Sequence, residues 1–497
     1  LLFVEAQLGT AAKRGWRDYR IRRRREIRHM SSDTLAPTEP EELPPVSLDE
    51  DDRLTREFVD RVLDALEDGD ADTVYALVKP LQDVDVADLF EATPGDERAA
   101  LALAMGDQLT ADALAEMNDY VREDVVDTLP PELLAQLTGQ LDTDDAVAII
   151  EDLEAPEQAA VLAEMEPEDR AAIEYALTYE EESAGRIMQR DLVAVPEHMT
   201  VGDMIDYLRG NPDMTREFWE IFVVDPAYRP VGTCRLSWIM RSQRDVRVRD
   251  IMQDEQTLIP VDMDQEEVAL RFQKYALISA AVVNEDGRLV GVITADDIVH
   301  IVQEEADEDI LRLSGAGDGD INEPLRDSYI SRVRWLIANL GTALVASFII
   351  AQFGAEIQTL VALAVLMPIV ASIGGNAGTQ TLAVTVRAMA TDQLTSSNTG
   401  RTIWREIRIA MLTGITVAVL AGIGVSIFYM NPVLGAVIAG AILFNILIAA
   451  SSGVIIPVLL DRLDQDPAIS SSIFVTMITD SMGFLIFLGL AVASGMV

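Results

Sequence analysis

From residue 333 to its end the chain is almost continuously apolar. Five runs, at 333–352, 358–386, 409–430, 433–460 and 470–495, are each about 20 residues or longer, the length that crosses a hydrocarbon core as a helix. Lipid offers no partner to a backbone N–H or C=O, so runs this long must satisfy those groups internally as helices. Residues 53–328 are acidic and soluble in character. The 497-residue chain is therefore expected to join a large soluble part to five membrane spans.

Asp480 breaks the apolar pattern. It is the only ionisable residue in the interior of these runs, about ten residues into the last one. A carboxylate at that depth costs roughly 2.5–3.5 kcal/mol on insertion scales, and its default reading is a functional site facing a pore or water-filled cavity. With no basic residue at its depth, the expected partner is a cation that passes through. Ser472, Thr476 and Asp480 stand at i, i+4 and i+8, one face of a helix.

The second run carries Met367-Pro368-Ile369-Val370-Ala371-Ser372-Ile373-Gly374-Gly375-Asn376-Ala377-Gly378-Thr379-Gln380-Thr381. Pro368 removes a backbone donor and frees a carbonyl one turn back. Gly374, Gly375 and Gly378 lack Cβ atoms, so another helix or a hydrated ion can approach the backbone. Asn376 and Gln380 share a face and supply neutral oxygens; Thr379 and Thr381 add hydroxyls. Irregular backbone at this depth is tolerated where it is buried or lines a cavity. The competing account of Gly374 and Gly378 is close helix packing. For Asp480 it is a neutral buried acid hydrogen-bonded to Asn445 or Asn376. An oxygen-only lining without His or Cys suits a hard cation such as Mg²⁺, Ca²⁺ or Mn²⁺. Mg²⁺ keeps several waters while touching one or two carboxylates, which matches one carboxylate per chain among neutral oxygens.

Charge bounds the partners. Asp and Glu number 83 against 38 Lys and Arg, a net of −45, and the lysines are only Lys13, Lys79 and Lys274. Such a surface suits a halophile's cytosol at molar salt, where the Debye length is about 3 Å. The rival account is that the acids bind divalent cations. Nucleic acid is not an expected partner for so acidic a body. A single cysteine, Cys234, excludes an internal disulfide framework and a Cys-ligated zinc site. No Gly-rich loop with a following Lys argues for an ATP-driven pump. Basic residues flank the runs on one side: Arg332 and Arg334, then Arg387, Arg401, Arg405 and Arg408, then Arg462. The connections near 354–358 and 430–432 have none, which places the N-terminal part in the cytoplasm and the C-terminus outside a plasma membrane.

Five segments are expected. Residues 1–52 form a basic or disordered extension and linker, with nine basic residues before Met30. It reads either as sequence upstream of the true start or as a basic arm on anionic lipid headgroups. Residues 53–178 form an all-α acidic superhelix. Its helix starts recur at Pro94, Pro131, Pro156 and Pro167, each followed by acids that favour the helix dipole. Residues 179–307 are α+β and hold a repeat: Ile187-Met188-Gln189 returns as Ile251-Met252-Gln253, and Pro196 as Pro260. Phe222-Val223-Val224 with Arg229-Pro230-Val231-Gly232 matches Ala281-Val282-Val283 with Arg288-Leu289-Val290-Gly291. Each copy reads as strand, helix, paired strands, helix. A connecting helix and linker at 308–328, with a Gly/Asp-rich break from Ser314 to Asp320, leads to the all-α membrane domain at 329–497.

The repeat resembles a tandem CBS pair. Gly291-Val292-Ile293-Thr294-Ala295-Asp296-Asp297 fits that family's nucleotide pattern, which implies Thr294 and Asp297 as phosphate and ribose contacts and ATP as a ligand. The first copy has Arg235 and Trp238 instead, leaving one half-site. The whole of 53–497 resembles the MgtE-type magnesium transporter family. The resemblance is carried by Tyr179-Glu180-Glu181-Glu182-Ser183-Ala184-Gly185-Arg186-Ile187-Met188, the Gly374–Gln380 segment and Thr479-Asp480-Ser481-Met482-Gly483. It implies a membrane-embedded homodimer with the two Asp480 carboxylates facing each other around Mg²⁺. It also implies closure by intracellular Mg²⁺ at Glu266, Asp297, Glu305, Glu308 and Asp309. His300 and Ser472 depart from an acid and an amide found in relatives. The expectation is a passive, non-enzymatic Mg²⁺ channel gated by direct metal bridging. The rivals are a cation-coupled divalent metal antiporter and a non-transporting CBS-containing membrane sensor.

Overall fold

The computed structural model describes residues 47–211, 214–215, 218–315, 322–391, 393–394, 397–463, 465 and 467–496. The expected basic extension and nearly all of the Gly/Asp-rich break lie outside them, as does the side chain of Asp309. The chain divides into two compact units at Thr178/Tyr179.

The first unit is all α. Its helices are α1 (Arg56–Glu67), α2 (Ala71–Val78), α3 (Asp83–Ala92), α4 (Gly95–Met105), α5 (Ala111–Ala115), α6 (Asp119–Val126), α7 (Pro131–Thr138), α8 (Thr143–Glu151), α9 (Ala155–Glu164) and α10 (Pro167–Ala176). The repeating prolines sit where they were expected, at the N-cap of α4 and in the first turns of α7, α9 and α10. The missing N–H has no intrahelical partner there anyway. One core runs through the stack, including Phe58, Phe90, Leu101, Leu114 and Ile150. Two arginines are buried beside it: Arg98 donates to the Phe90 and Thr93 carbonyls and pairs with Asp124, and Arg122 pairs with Asp119 and Asp152.

The second unit begins with the repeat. Strands β1 (Ala194–Pro196), β2 (Glu220–Val224) and β3 (Pro230–Arg235) form one sheet, with α11 (Val201–Gly210) between β1 and β2 and α12 (Leu236–Arg241) after β3. β4 (Leu258–Pro260), β5 (Ser279–Val283) and β6 (Leu289–Thr294) form the second, with α13 (Gln265–Tyr275) and α14 (Ala295–Ser314) in the same places. Both sheets pair parallel then antiparallel, with a register shift at Val223/Val224 and at Val282/Val283. The repeated Ile-Met-Gln motif has a crossed packing role. Gln189 pairs with Val292 of the second copy, and Gln253 with Thr233 of the first. Gly291 and Gly232 leave the room for Met188 and Met252, since a Cβ there would stand 2.5 Å and 3.0 Å from their sulfurs. α14 runs unbroken through residue 307, so the last CBS helix and the connecting helix are one element. It ends at Gly315 in the left-handed conformation (φ 67°), where a side chain would also strike the Trp335 ring.

Among the described residues five helices are long and apolar enough to cross a membrane: α15 (Leu325–Gln352), α17 (Ala362–Ala390), α18 (Thr399–Phe428), α19 (Pro432–Asp461) and α20 (Pro467–Ala493). A short α16 (Gly354–Thr359) precedes α17. α17 stays helical through Pro368 and the glycines, so the backbone irregularity expected there is absent. α19 is the central helix, packed against α17, α18 and α20. Its seam with α18 uses Ala410, Gly414, Ala418 and Gly422, four residues apart; a Cβ at Gly422 would meet the Gly435 carbonyl oxygen at 2.8 Å. α14 packs on α20, and its Leu313 joins Leu382, Val386 and Val475 in a small apolar cluster.

Candidate functional site

Asp480 sits half-buried near the middle of α20, and no residue among those described hydrogen-bonds or ion-pairs with its carboxylate. Thr476 and Ser472 lie one and two turns before it, both half-buried on the same face. Thr479, one position round, is fully buried and turned into the bundle. Neither amide offered as a partner for a neutral Asp480 is bonded to it. Asn445 instead donates Nδ2 to the Val370 carbonyl oxygen at 3.1 Å.

The glycine–amide segment of α17 splits by face. Gly374 and Gly378 are buried and point into the bundle. A Cβ at Gly374 would stand 2.0 Å from Asn445 Nδ2, and one at Gly378 2.6 Å from Val475 Cγ1. At these two positions a neighbouring helix takes the space that sequence alone left open to a helix or an ion. Gly375 has nothing within 4 Å of its Cβ position. Asn376 and Gln380 lie on the opposite side of the helix and are exposed, as is Thr379, whose hydroxyl donates to the Gly375 carbonyl. The neutral oxygens therefore face out of the single-chain bundle while the glycines hold it together.

One polar group here, Glu406, escaped the sequence, and another, Asn445, was expected only as a partner for Asp480. Asn445 is fully buried at the meeting of α17, α19 and α20. Glu406 is 7% exposed in α18, paired to Arg405 at 2.8 Å. It lies just before the third apolar run, so a hydropathy window leaves it out although the helix includes it. Its four-residue spacing from Ala410, Gly414 and Ala418 is the signal that puts it on the packed face.

The acids expected to control gating are distributed along α13 and α14. Glu266 lies in the first turn of α13, half-buried. Asp297 closes a capping box at the start of α14: its Oδ2 accepts from the Thr294 hydroxyl at 2.7 Å and from Gln189 Nε2 at 3.1 Å. Thr294 and Asp297, the expected nucleotide contacts, are thus bonded to each other. Glu305 Oε1 accepts from Gln265 Nε2 at 2.7 Å, tying α14 to α13. Burial pushes the Glu305 carboxyl above its ordinary range; the Gln265 bond opposes this, Asp264 and Glu182 add to it, and Arg312 opposes it. Glu308 pairs with Arg312 one turn on. Among the described residues no three His, Cys, Asp or Glu side chains gather to hold a metal. A cavity of about 500 Å³ opens at the other half-site, between Glu220, Thr233 and Arg235 of the first copy and Gln253–Thr257 and Tyr275–Ala281 of the second.

Comparison with known proteins gives one answer along the chain. Residues 367–490 match the family model MgtE, described as a divalent cation transporter. Residues 81–182 match the MgtE intracellular N domain, and 248–304 a CBS domain. A magnesium transporter MgtE of Bacillus subtilis (strain 168) is 30% identical over 441 residues, covering 88% of this chain and 97% of the relative. The magnesium transporter MgtE of Thermus thermophilus is 33% identical, over 64% of this chain and 71% of its own. Among solved structures, the cytosolic domain of the Mg²⁺ channel MgtE in complex with ATP is similar at 28% identity, covering 49% of this chain and 99% of that one, with a TM-score of 0.45.

Proposed function

The chain belongs to the MgtE family of divalent cation transporters, and on that premise we propose that it is a Mg²⁺-selective, channel-type protein mediating passive magnesium uptake. The observation that carries this is Asp480, a half-buried carboxylate in the middle of a membrane helix with no partner among the described residues. A charge kept there at a cost is matched by a cation in transit. Thr476 and Ser472 continue its face. Asn376, Gln380 and the open backbone at Gly375 supply neutral oxygens, and Gly374 and Gly378 let α17 approach its neighbours closely. Mg²⁺ sheds water reluctantly, so a lining with one carboxylate per chain suits an ion that keeps most of its shell. The reading places the pore between two copies of the chain, with the N-terminus cytoplasmic and the C-terminus outside. The membrane potential supplies the drive, about 2.3 kcal/mol per charge per 100 mV and twice that for a divalent ion.

Closure follows from intracellular Mg²⁺ held by Glu266, Asp297, Glu305, Glu308 and Asp309 together with other acids of the cytoplasmic parts. α14 is the mechanical link: it carries four of those acids and its far end packs on α20, the helix of Asp480. Thr294 and Asp297 form the ATP half-site of this reading, and ATP binding would have to open their capping box.

Purified protein in liposomes tests the transport reading. Mg²⁺ uptake driven by voltage, indifferent to Na⁺ and H⁺ gradients and lost in Asp480→Asn, is expected. Uptake that follows a counter-ion gradient identifies an antiporter. No uptake, with Asp480→Asn the same as wild type, sinks transport altogether.

A further inference from the structure

Asn445 lies near the middle of α19 and is fully buried. Its Nδ2 donates to the Val370 carbonyl oxygen of α17. Glycines on two other helices make the room it fills: a Cβ at Gly374 would stand 2.0 Å from Nδ2, and one at Gly483 2.6 Å. Side chains do not tolerate contacts that short, so any residue but glycine at either place displaces the amide. Three helices converge on one side chain.

Its Oδ1 is buried with no hydrogen-bond donor among the described residues. An unpaired buried acceptor is unfavourable, above all at membrane depth. Leucine has the same branched skeleton and would fill the notch without that cost. Packing alone therefore does not account for an amide here. Polar groups held against their own stability cluster at functional sites. Gly483 lies three residues after Asp480, and Gly374 two before Asn376. At 1.5 Å of rise per residue these offsets are about 4.5 Å and about 3 Å. Asn445 thus meets both candidate pore segments at their own depth, from inside the bundle.

We propose that Asn445 positions the pore. Its amide sets the separation and rotation of α17 and α20, and so the space between the Asp480 carboxylate and the Asn376/Gln380 oxygens that decides which hydrated divalent ion passes. It acts as outer groups do at metal sites, by orienting the residues that touch the ion. The proposal rests on Asp480 being in the pore.

Full-length protein in liposomes tests it, with Mg²⁺ and Mn²⁺ uptake measured separately and compared as a ratio. Asn445→Leu and Gly374→Ala are each expected to change that ratio by about tenfold, the lower end of outer-shell effects. Gly424→Ala, whose Cβ meets nothing within 4 Å, should leave it unchanged. A residue that only fills space would lower both fluxes together; an unchanged ratio in Asn445→Leu and Gly374→Ala overturns the proposal. The double variant Asn445→Ala/Gly374→Ala, in which the smaller side chain admits the new methyl, covers a single variant that does not fold. A shifted ratio is expected there too, and a wild-type ratio counts against the proposal. Asp480→Asn separates the two claims. Its transporting like wild type removes the pore reading, whereas its inactivity beside unshifted Asn445 ratios removes only the positioning role.

Discussion

Gly378→Ala tests how tightly the candidate pore helices are held. The added methyl would lie 2.6 Å from Val475 Cγ1 and 3.4 Å from Thr479 Cγ2. Carbon atoms settle about 3.5–4.0 Å apart, so the first contact is short by about 1 Å. Val475 has little freedom to give way: it is 1% exposed and clustered with Leu382 and Val386. The strain passes to α20, five residues before Asp480. Overpacking of this kind costs about 1–3 kcal/mol. Val475→Ala alone removes two methyl groups and should cost about 2 kcal/mol. Together the two exchange volume across one contact, so the double variant should be more stable than the sum of the singles by about 1–2 kcal/mol. Denaturant unfolding in detergent measures stability, and Mg²⁺ flux in liposomes reports the pore. We expect Gly378→Ala to be less stable and slower, and the double variant to lose less stability than the two singles added together while recovering part of the flux. Additive losses, or a Gly378→Ala protein as stable as wild type, would refute the packing argument.

Other perturbations reach the soluble parts. Arg98→Met strands the Thr93 carbonyl, leaves the Phe90 carbonyl only its bond from the Thr93 N–H, and removes the 2.7 Å pair with Asp124. It should destabilise the N-terminal helical unit by about 2–4 kcal/mol, read by urea unfolding followed by circular dichroism. Glu305 titrates above the ordinary carboxylate value of 4.5, mainly through burial. A raised acid favours the protonated fold, so its contribution is complete below about that value and is lost as pH rises through the raised one. Protection factors of the α13 and α14 amides, corrected for the intrinsic pH dependence of exchange, should therefore be higher at pH 5 than at pH 7, and Glu305→Gln should flatten that difference. Burial pushes the Cys234 thiol up to about 11. It should resist thiol reagents at pH 8 in the folded protein and react on unfolding.

Much of the architecture was legible because it rests on local signals. Span number follows from run length, and the CBS repeat from two copies of Ile-Met-Gln and of the paired strands. The proline-led helices of the first unit could be read turn by turn. Helix ends in the membrane domain were not: α15 begins at Leu325 and α18 at Thr399, each eight or more residues before its apolar run. Hydropathy marks lipid contact, and a helix continues past it while its ends can be solvated or paired, as Arg405 and Glu406 are. The occupants of the glycine notches were also out of reach. Gly374 and Gly483 are both small because of Asn445, and Gly378 because of Val475, partners far along the chain. The same distance hid Gln265 as the ligand of Glu305. The acids of α14 were visible as a run, but an acid-rich chain gives every helix such a face, so sequence alone separates no regulator from its background.

Asp480 is proposed to pass Mg²⁺ under control of the metal inside. The direct measurement is Mg²⁺ flux into proteoliposomes against internal Mg²⁺ at fixed high KCl, for wild type and Asp480→Ala. Wild-type flux that falls as internal Mg²⁺ rises, with no flux in Asp480→Ala at any internal concentration, is the predicted result. Flux through Asp480→Ala equal to wild type, or closure that follows ionic strength whatever the Mg²⁺, would contradict it.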